Sequence, residues 1–250
     1  MTSAPLPDPA PTTAATFGVG DPEGGAPGPE AAGAGVDHAL AVLGMLAYSA
    51  LAAFSRLAAD AAQAPSLDKR LELSRLAGGT LTHLDLITAR AAELGAELRP
   101  VMAPYAGVLV EFDERTAPAT WWERLIKAYV GYGVADDFGR IVAQALDPRT
   151  RDVAVAVLTD EGHAQLVVDS LAEAVARDAT LASRLALWGR RLFGEALNVV
   201  QQVVAEHPDL RDLLEIAMAD APGSGDAQQK VFAVLTGEHS RRMERLGLTP

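Results

Sequence analysis

Apolar residues recur in steps of three and four positions along most of this chain after residue 37. Such spacing places them on one face of an α-helix, whereas a half-buried strand would alternate apolar and polar residues, and no window sustains that alternation. The first stretch begins at Asp37, a candidate N-cap, and continues to about Asp60. Its apolar positions are Leu40, Leu43, Ala47, Leu51, Phe54 and Leu57. The pattern predicts an all-α protein.

Proline, glycine and capping residues divide the rest of the chain into further predicted helices. Ser66 and Gly95 bound a helix over 66–94, which we expect to lie antiparallel to the first. Asp147-Pro148 begins a long helix that continues through His163 to about residue 177. Two such helix pairs predict a four-helix bundle followed by additional C-terminal helices. The remaining predicted helices span 105–112, 120–146, 180–206, 210–219 and 227–246.

Residues 1–36 differ in composition from the rest of the chain. They contain seven of the fifteen prolines and seven of the twenty-two glycines, with four acids and no Lys or Arg. We expect a disordered acidic tail there and one helical domain over 37–250. The tail lacks the features of a secretory signal, and the longest uncharged run, 39–55, is shorter than the roughly 20 residues of a membrane span. We therefore expect a cytoplasmic protein without a membrane segment.

Charge and cysteine content exclude several classes of function. The chain has no cysteine, so thiolate catalysis and sulfur-ligated metals are excluded, and any metal must be held by histidine and carboxylate side chains. The net charge is −12 and stays at about −8 without the four acids of the tail. Such a surface disfavours partners that are bound through their phosphates, tRNA included, although a local basic patch stays possible.

Two histidines occupy similar helical settings 80 residues apart. His83 follows Thr80 by three positions, and His163 follows Asp160 by three. Positions i and i+3 share a helix face, so a carboxylate and an imidazole at this spacing can bind one metal ion. Two such pairs, with one carboxylate from each of two more helices, form the di-iron site of ferritin-like bundles. Here the first pair has threonine in the carboxylate position, and the comparable positions on the other two helices are Ala50 and Tyr132.

Several short motifs from about Leu43 onward carry a family resemblance. They include Ala47-Tyr48, Leu51-Ala52-Ala53-Phe54, Arg56-Leu57-Ala58, Thr116 to Trp122, Lys127-Ala128-Tyr129-Val130-Gly131, Asp137-Phe138, Gly162-His163, Arg184-Leu185-Ala186-Leu187-Trp188, Arg190-Arg191-Leu192 and Gly194-Glu195-Ala196-Leu197. With these motifs the chain resembles the actinobacterial branch of ferritin-like proteins related to the tRNA isopentenyl-adenosine hydroxylases (MiaE-like proteins). The resemblance implies an all-helical ferritin-like fold and, in intact members, a carboxylate-bridged di-iron centre for oxygen activation and hydroxylation. It also implies Glu at the positions of Ala50 and Thr80 and Asp at that of Tyr132, so three ligands are replaced here.

Two interpretations of the surviving residues stay open. His83, Asp160 and His163 form the ligand set of a mononuclear facial-triad iron. Alternatively, both histidines are remnants that form hydrogen bonds inside the bundle and bind no metal. Tyr132 can ligate, carry a radical or fill the vacated volume, and filling is the default because it removes a cavity. Further residues expected to support or line the site are Thr80, Asp136, Asp137 and Phe138.

These observations lead to two functional hypotheses. The first is a ferritin-like protein with a degraded metal site and a non-catalytic or partner-binding role, either as a homodimer or paired with an intact paralogue. The second is a non-haem iron hydroxylase that uses His83, Asp160 and His163 on a modified tRNA nucleoside or a small metabolite. The expected cofactor is accordingly none in the first hypothesis and iron in the second.

Overall fold

A computed structural model describes residues 29–159 and 161–250, apart from the side chains of 29–32, 161 and 163. Within these ranges the chain forms eleven α-helices and no strand, which confirms the predicted all-α fold. The helices are α1 (Pro29–Ala62), α2 (Leu67–Glu93), α3 (Leu98–Met102), α4 (Val110–Arg115), α5 (Trp121–Ile126), α6 (Tyr132–Ala143), α7 (Pro148–Leu158), α8 (Glu161–Arg177), α9 (Ala179–Glu206), α10 (Pro208–Met218) and α11 (Ala227–Arg245).

The helices pack as a bundle with three helices added at the C-terminal end. The long pair α1 and α2 packs along most of its length, and α6 and α7 pack beside it. The additional helices α9, α10 and α11 pack against α6 and against one another. One apolar core, in which Leu43, Ile87, Phe138 and Leu192 are each almost fully buried, joins the bundle to these added helices.

Capping residues set several helix boundaries where the sequence places them. The Ser66 side chain accepts a hydrogen bond from the Lys69 amide at 3.3 Å and begins α2. Gly95 ends that helix with a positive φ of 80°, which only glycine adopts without strain. Asp147 caps α7 by accepting from the amides of Arg149 and Thr150. The predicted start and end of α2 and the predicted start of α7 are confirmed.

The start of the first helix differs from the prediction. The sequence predicts an N-cap at Asp37, but α1 begins at Pro29. Most of the predicted tail, residues 1–28, lies outside the described residues. Among the described helices, α1 over Gly33–Ala62 is long and apolar enough to cross a membrane by length and composition alone. The core helix of a soluble protein meets the same criterion, so this finding does not assign a location.

The helix predicted over 120–146 contains a π-helical segment at Lys127–Gly131, between α5 and α6. All five residues of the segment are buried. A π turn changes the direction in which the following side chains point, and such segments often occur at functional sites.

The helix predicted over 105–112 is wrong in extent. Ala103–Tyr105 forms a 3₁₀ turn, and α4 begins only at Val110.

The single helix predicted over 148–177 is two helices. α7 ends at Leu158 and α8 begins at Glu161. Thr159 has an extended backbone, with a ψ of 95°, and its hydroxyl donates to the Val155 carbonyl at 2.8 Å. The carbonyl of Leu158 accepts a hydrogen bond from Arg140. These side-chain bonds satisfy backbone groups that the end of a helix leaves free.

Candidate functional site

A small, partly open cavity of about 90 Å³ lies between helices α1, α2, α6 and α7. We call this space the inner cavity. Its walls are mostly aliphatic, with a few polar side chains. Its lining residues are Leu46, Ser49, Ala50, Ala53, Arg56, Leu57, Thr80, His83, Leu109, Ala128, Tyr132, Ala135, Asp136, Val157 and Leu158.

The inner cavity brings together most of the predicted site residues of the described chain. Ala50, Thr80, His83, Tyr132 and Asp136 all line it, although they come from three helices. The Thr80 hydroxyl donates to the Ala77 carbonyl of its own helix at 2.8 Å. Thr80 therefore donates its hydroxyl proton within α2 and not to His83.

The second histidine pair is only partly described. Asp160 and the side chain of His163 lie outside the described residues. The continuous helix predicted over this region is interrupted, since α7 ends at Leu158 and α8 begins at Glu161. The ligand set His83, Asp160 and His163 stays a prediction.

Asp136 is the only carboxylate among the described residues that line the inner cavity. No side chain or amide in the described part of the chain is found within hydrogen-bond distance of it. Burial raises its pKa to about 6, against the opposing attraction of Arg140 and Arg242. Partial removal from solvent disfavours the ionised carboxylate, and no described donor stabilises it, so protonation is favoured.

Asp137, predicted beside Asp136, points away from the inner cavity. Its two oxygens accept hydrogen bonds from Arg242, both at 2.6 Å, and one of them also accepts from Arg140 at 2.9 Å. Arg242 reaches from α11 and donates in addition to the Gly133 carbonyl at 3.0 Å. This buried ion pair joins α11 to α6.

Phe138, predicted to line the substrate pocket, does not line the inner cavity. Its side chain lies in the hydrophobic core and is 2% exposed.

Tyr132 fills the space beside the cavity and uses its hydroxyl elsewhere. The hydroxyl donates to the Asp113 carboxylate on α4, and the ring packs edge-on against Phe112 at 5.3 Å. Burial raises the pKa of Tyr132, so the phenol stays protonated at neutral pH. These contacts support the interpretation that Tyr132 occupies vacated volume.

Arg56 is a functional candidate that sequence reasoning did not identify. Its guanidinium carbon lies 3.5 Å from the centre of the Tyr132 ring, and this cation–π stack separates the inner cavity from a second space outside it. The sequence did single out Arg56 in one respect, because it is the first charged residue after the uncharged run 39–55.

The second space, which we call the outer cleft, has a volume of about 500 Å³ and opens between α1, α5 and the π-helical segment. Its charged residues are mostly paired. Arg124 binds Asp60 at 3.1 Å, and Lys127, only 6% exposed, binds Asp113 at 2.7 Å. Desolvation raises the pKa of Asp60, against the opposing hydrogen bond from Arg124.

The donors that the described residues supply to the inner cavity do not by themselves fit a two-iron centre. Such a centre in a bundle uses four carboxylates and two histidines. The described residues supply His83 and Asp136, and no group of three or more histidine, aspartate or glutamate side chains among them is placed to hold a metal ion. Arg56 adds a positive charge to the same wall, which disfavours binding of a cation.

A bundle built on the long pair α1 and α2, with α6 and α7 packed beside it, is the architecture of ferritin-like proteins. Residues 36–217 match the family model described as the ferritin-like domain of actinomycetes, and the chain belongs to this family. Among solved structures it is similar to a protein from Synechococcus described as having aldehyde deformylating oxidase activity. The TM-score is 0.63 with 15% identity, over 86% of this chain and 92% of that one, a likeness that shows the fold. None of the curated proteins compared with this chain matches it.

Proposed function

We propose that this protein is a non-catalytic member of the ferritin-like family that works by binding a partner and not by iron–oxygen chemistry. One observation carries the proposal. The inner cavity presents Ala50, Thr80 and Tyr132 where the resemblance to MiaE-like hydroxylases implies three carboxylates, and it has the cation Arg56 in its wall. Two ferrous ions would bring four positive charges into this space with few anions to offset the cost of desolvation.

Metal content tests this proposal directly. Untagged protein is offered ferrous iron under anaerobic conditions, freed of excess iron, and its iron is measured by elemental analysis beside His83→Ala. We expect the same low iron content in both proteins. Two irons per chain in the unsubstituted protein would contradict the proposal.

A second candidate function is an oxygen-dependent non-haem iron hydroxylase or oxidase acting on a modified tRNA nucleoside or a small metabolite. It is favoured by one observation, that His83 and Asp136 line the same cavity. A facial triad needs two histidines and one carboxylate, and His163 would complete the set. One iron per chain that is lost in His83→Ala would support this candidate over the first.

The partner in the first proposal is tested with a second copy of the chain. Helix α2 exposes large apolar side chains, with Leu67 78%, Leu71 48% and Leu81 43% exposed. These three positions fall on one side of the helix, where an apolar face without cover is typical of an association surface. Sedimentation equilibrium measures the oligomeric state of the protein and of the Leu71→Glu variant. A dimer that the substitution dissociates would support self-association through α2. A monomer in both cases would direct the search to a paralogue.

A further inference from the structure

The outer cleft is a separate space from the inner cavity and has the size of a small-molecule site. Its volume of about 500 Å³ falls in the range that binds metabolites. Its lining combines apolar side chains, among them Leu51, Ala59 and Pro118, with charged groups. This combination suits a ligand with an apolar body and one charged end.

The charged groups of the outer cleft leave one positive charge without a partner. The cations are Arg56, Arg124 and Lys127, and the anions are Asp60 and Asp113. Arg124 and Lys127 each bind one of these carboxylates, whereas Arg56 has no ion pair with any described carboxylate.

Arg56 also has an unused hydrogen-bond donor. Its Nε is buried and has no partner among the described residues. A buried donor without an acceptor is costly, so Arg56 is not fully compensated by the protein. A carboxylate in the cleft would balance its charge through the guanidinium nitrogens that the cleft exposes. Nearby, the Tyr48 hydroxyl accepts from the Gly107 amide at 2.8 Å, which leaves its own proton available to a ligand.

We propose that the outer cleft binds a small organic monocarboxylate, with its carboxylate on Arg56 and its apolar body against Leu51, Ala59 and Pro118. The single excess positive charge is balanced by a monoanion. A dianion such as a phosphate ester would leave one negative charge uncompensated in a protein whose net charge is already −12.

This inference goes beyond the proposed function and does not depend on it. The cleft lies on the far side of the Arg56–Tyr132 stack from the inner cavity, and its lining includes neither His83 nor Asp136. Two irons per chain in the metal assay would contradict the non-catalytic proposal but not the carboxylate site. Failure of carboxylate binding would contradict the carboxylate site but not the non-catalytic proposal.

The binding test uses the full chain, treated with a chelator, and ligand-observed NMR followed by calorimetric titration. The probes are acetate, hexanoate and benzoate, with benzamide as the uncharged counterpart of benzoate and phenyl phosphate as the dianion. We expect benzoate or hexanoate to bind at millimolar concentration and benzamide to bind at least about tenfold more weakly, because it lacks the charge that Arg56 recognises.

Two substitutions locate the binding. Arg56→Gln removes the charge and should weaken binding about tenfold or more, while Arg56→Lys should weaken it less. Ala59→Trp, at an exposed position of the cleft, should block binding and leave Arg56 and the inner cavity intact, so the test holds even where Arg56→Gln folds poorly. Arg75→Gln, an exposed arginine of α2 outside the cleft, is the control and should bind like the unsubstituted protein.

Three results would overturn the proposal. They are no binding by any carboxylate, binding that neither Arg56→Gln nor Ala59→Trp changes, and tighter binding of phenyl phosphate than of benzoate. Equal binding of benzamide and benzoate would likewise exclude recognition by charge.

Discussion

Replacing Asp136 by asparagine should stabilise the protein, and the effect should depend on pH. Asp136 faces the inner cavity without a hydrogen-bond donor among the described residues, and burial raises its pKa from 3.8 to about 6. Between these two values the folded protein keeps a proton that the unfolded chain has lost. The free energy of unfolding therefore falls as the pH rises from about 4 to about 6.

The size of the effect follows from the two pKa values. A pKa raised from 3.8 to about 6 corresponds to about 3 kcal/mol of lost stability once Asp136 is ionised in both states. Asparagine has nearly the same shape and no charge, so Asp136→Asn avoids this cost. We expect the variant to be more stable by up to about 3 kcal/mol above pH 7 and equally stable below about pH 4.

Urea denaturation of chelator-treated protein from about pH 4 to about pH 8 measures this difference. Asp152→Asn, which removes an exposed carboxylate of α7, is the matched control and should show little change. A stability difference for Asp136→Asn that stays constant with pH, or a loss of stability at neutral pH, would refute the reasoning. If ferrous iron stabilised the unsubstituted protein but not Asp136→Asn, Asp136 would instead be a metal ligand.

Three further substitutions test the packing around the site, each by urea or thermal denaturation. Arg242→Met should lower the free energy of unfolding by about 3 kcal/mol, because it leaves the buried carboxylate of Asp137 without two bonds of 2.6 Å, and adding Asp137→Asn should recover part of the loss. Gly44→Ala should cost about 2 kcal/mol, since its Cβ would lie 2.2 Å from the Val101 carbonyl oxygen. Gly78→Ala should raise stability by about 1 kcal/mol, since nothing lies within 4 Å of the added atom in mid-helix, and effects of the same sign for the two glycines would contradict this account.

The elements that the sequence predicts well are those whose ends depend on local chemistry. Ser66, Gly95 and Asp147 act on amides and carbonyls within a few residues of their own positions, so their effect can be predicted from the neighbouring residues. The break after Leu158 is different, because one of the bonds that satisfies it comes from Arg140 on another helix. Periodicity continues through that break and therefore predicts one helix where there are two.

The candidate site was likewise predicted only in part from the sequence. Repeat spacing groups the positions of Ala50, Thr80, His83 and Tyr132, and all four residues line the inner cavity. The spacing did not identify Arg56. The helical period places this residue at the edge between the side of α1 that faces the inner cavity and the side that faces the outer cleft.

Arg56 bears directly on the proposal that the inner cavity works without a metal. On that proposal Ala50, Thr80 and Tyr132 stand where the resemblance to MiaE-like hydroxylases implies carboxylates. The described wall of the cavity has one cation, Arg56, and one carboxylate, Asp136. A carboxylate added to the same wall, for instance by Thr80→Glu, would be a partner for the Arg56 guanidinium, which would compete with iron for it. We therefore expect iron binding to require removal of Arg56 as well as carboxylates at the three positions.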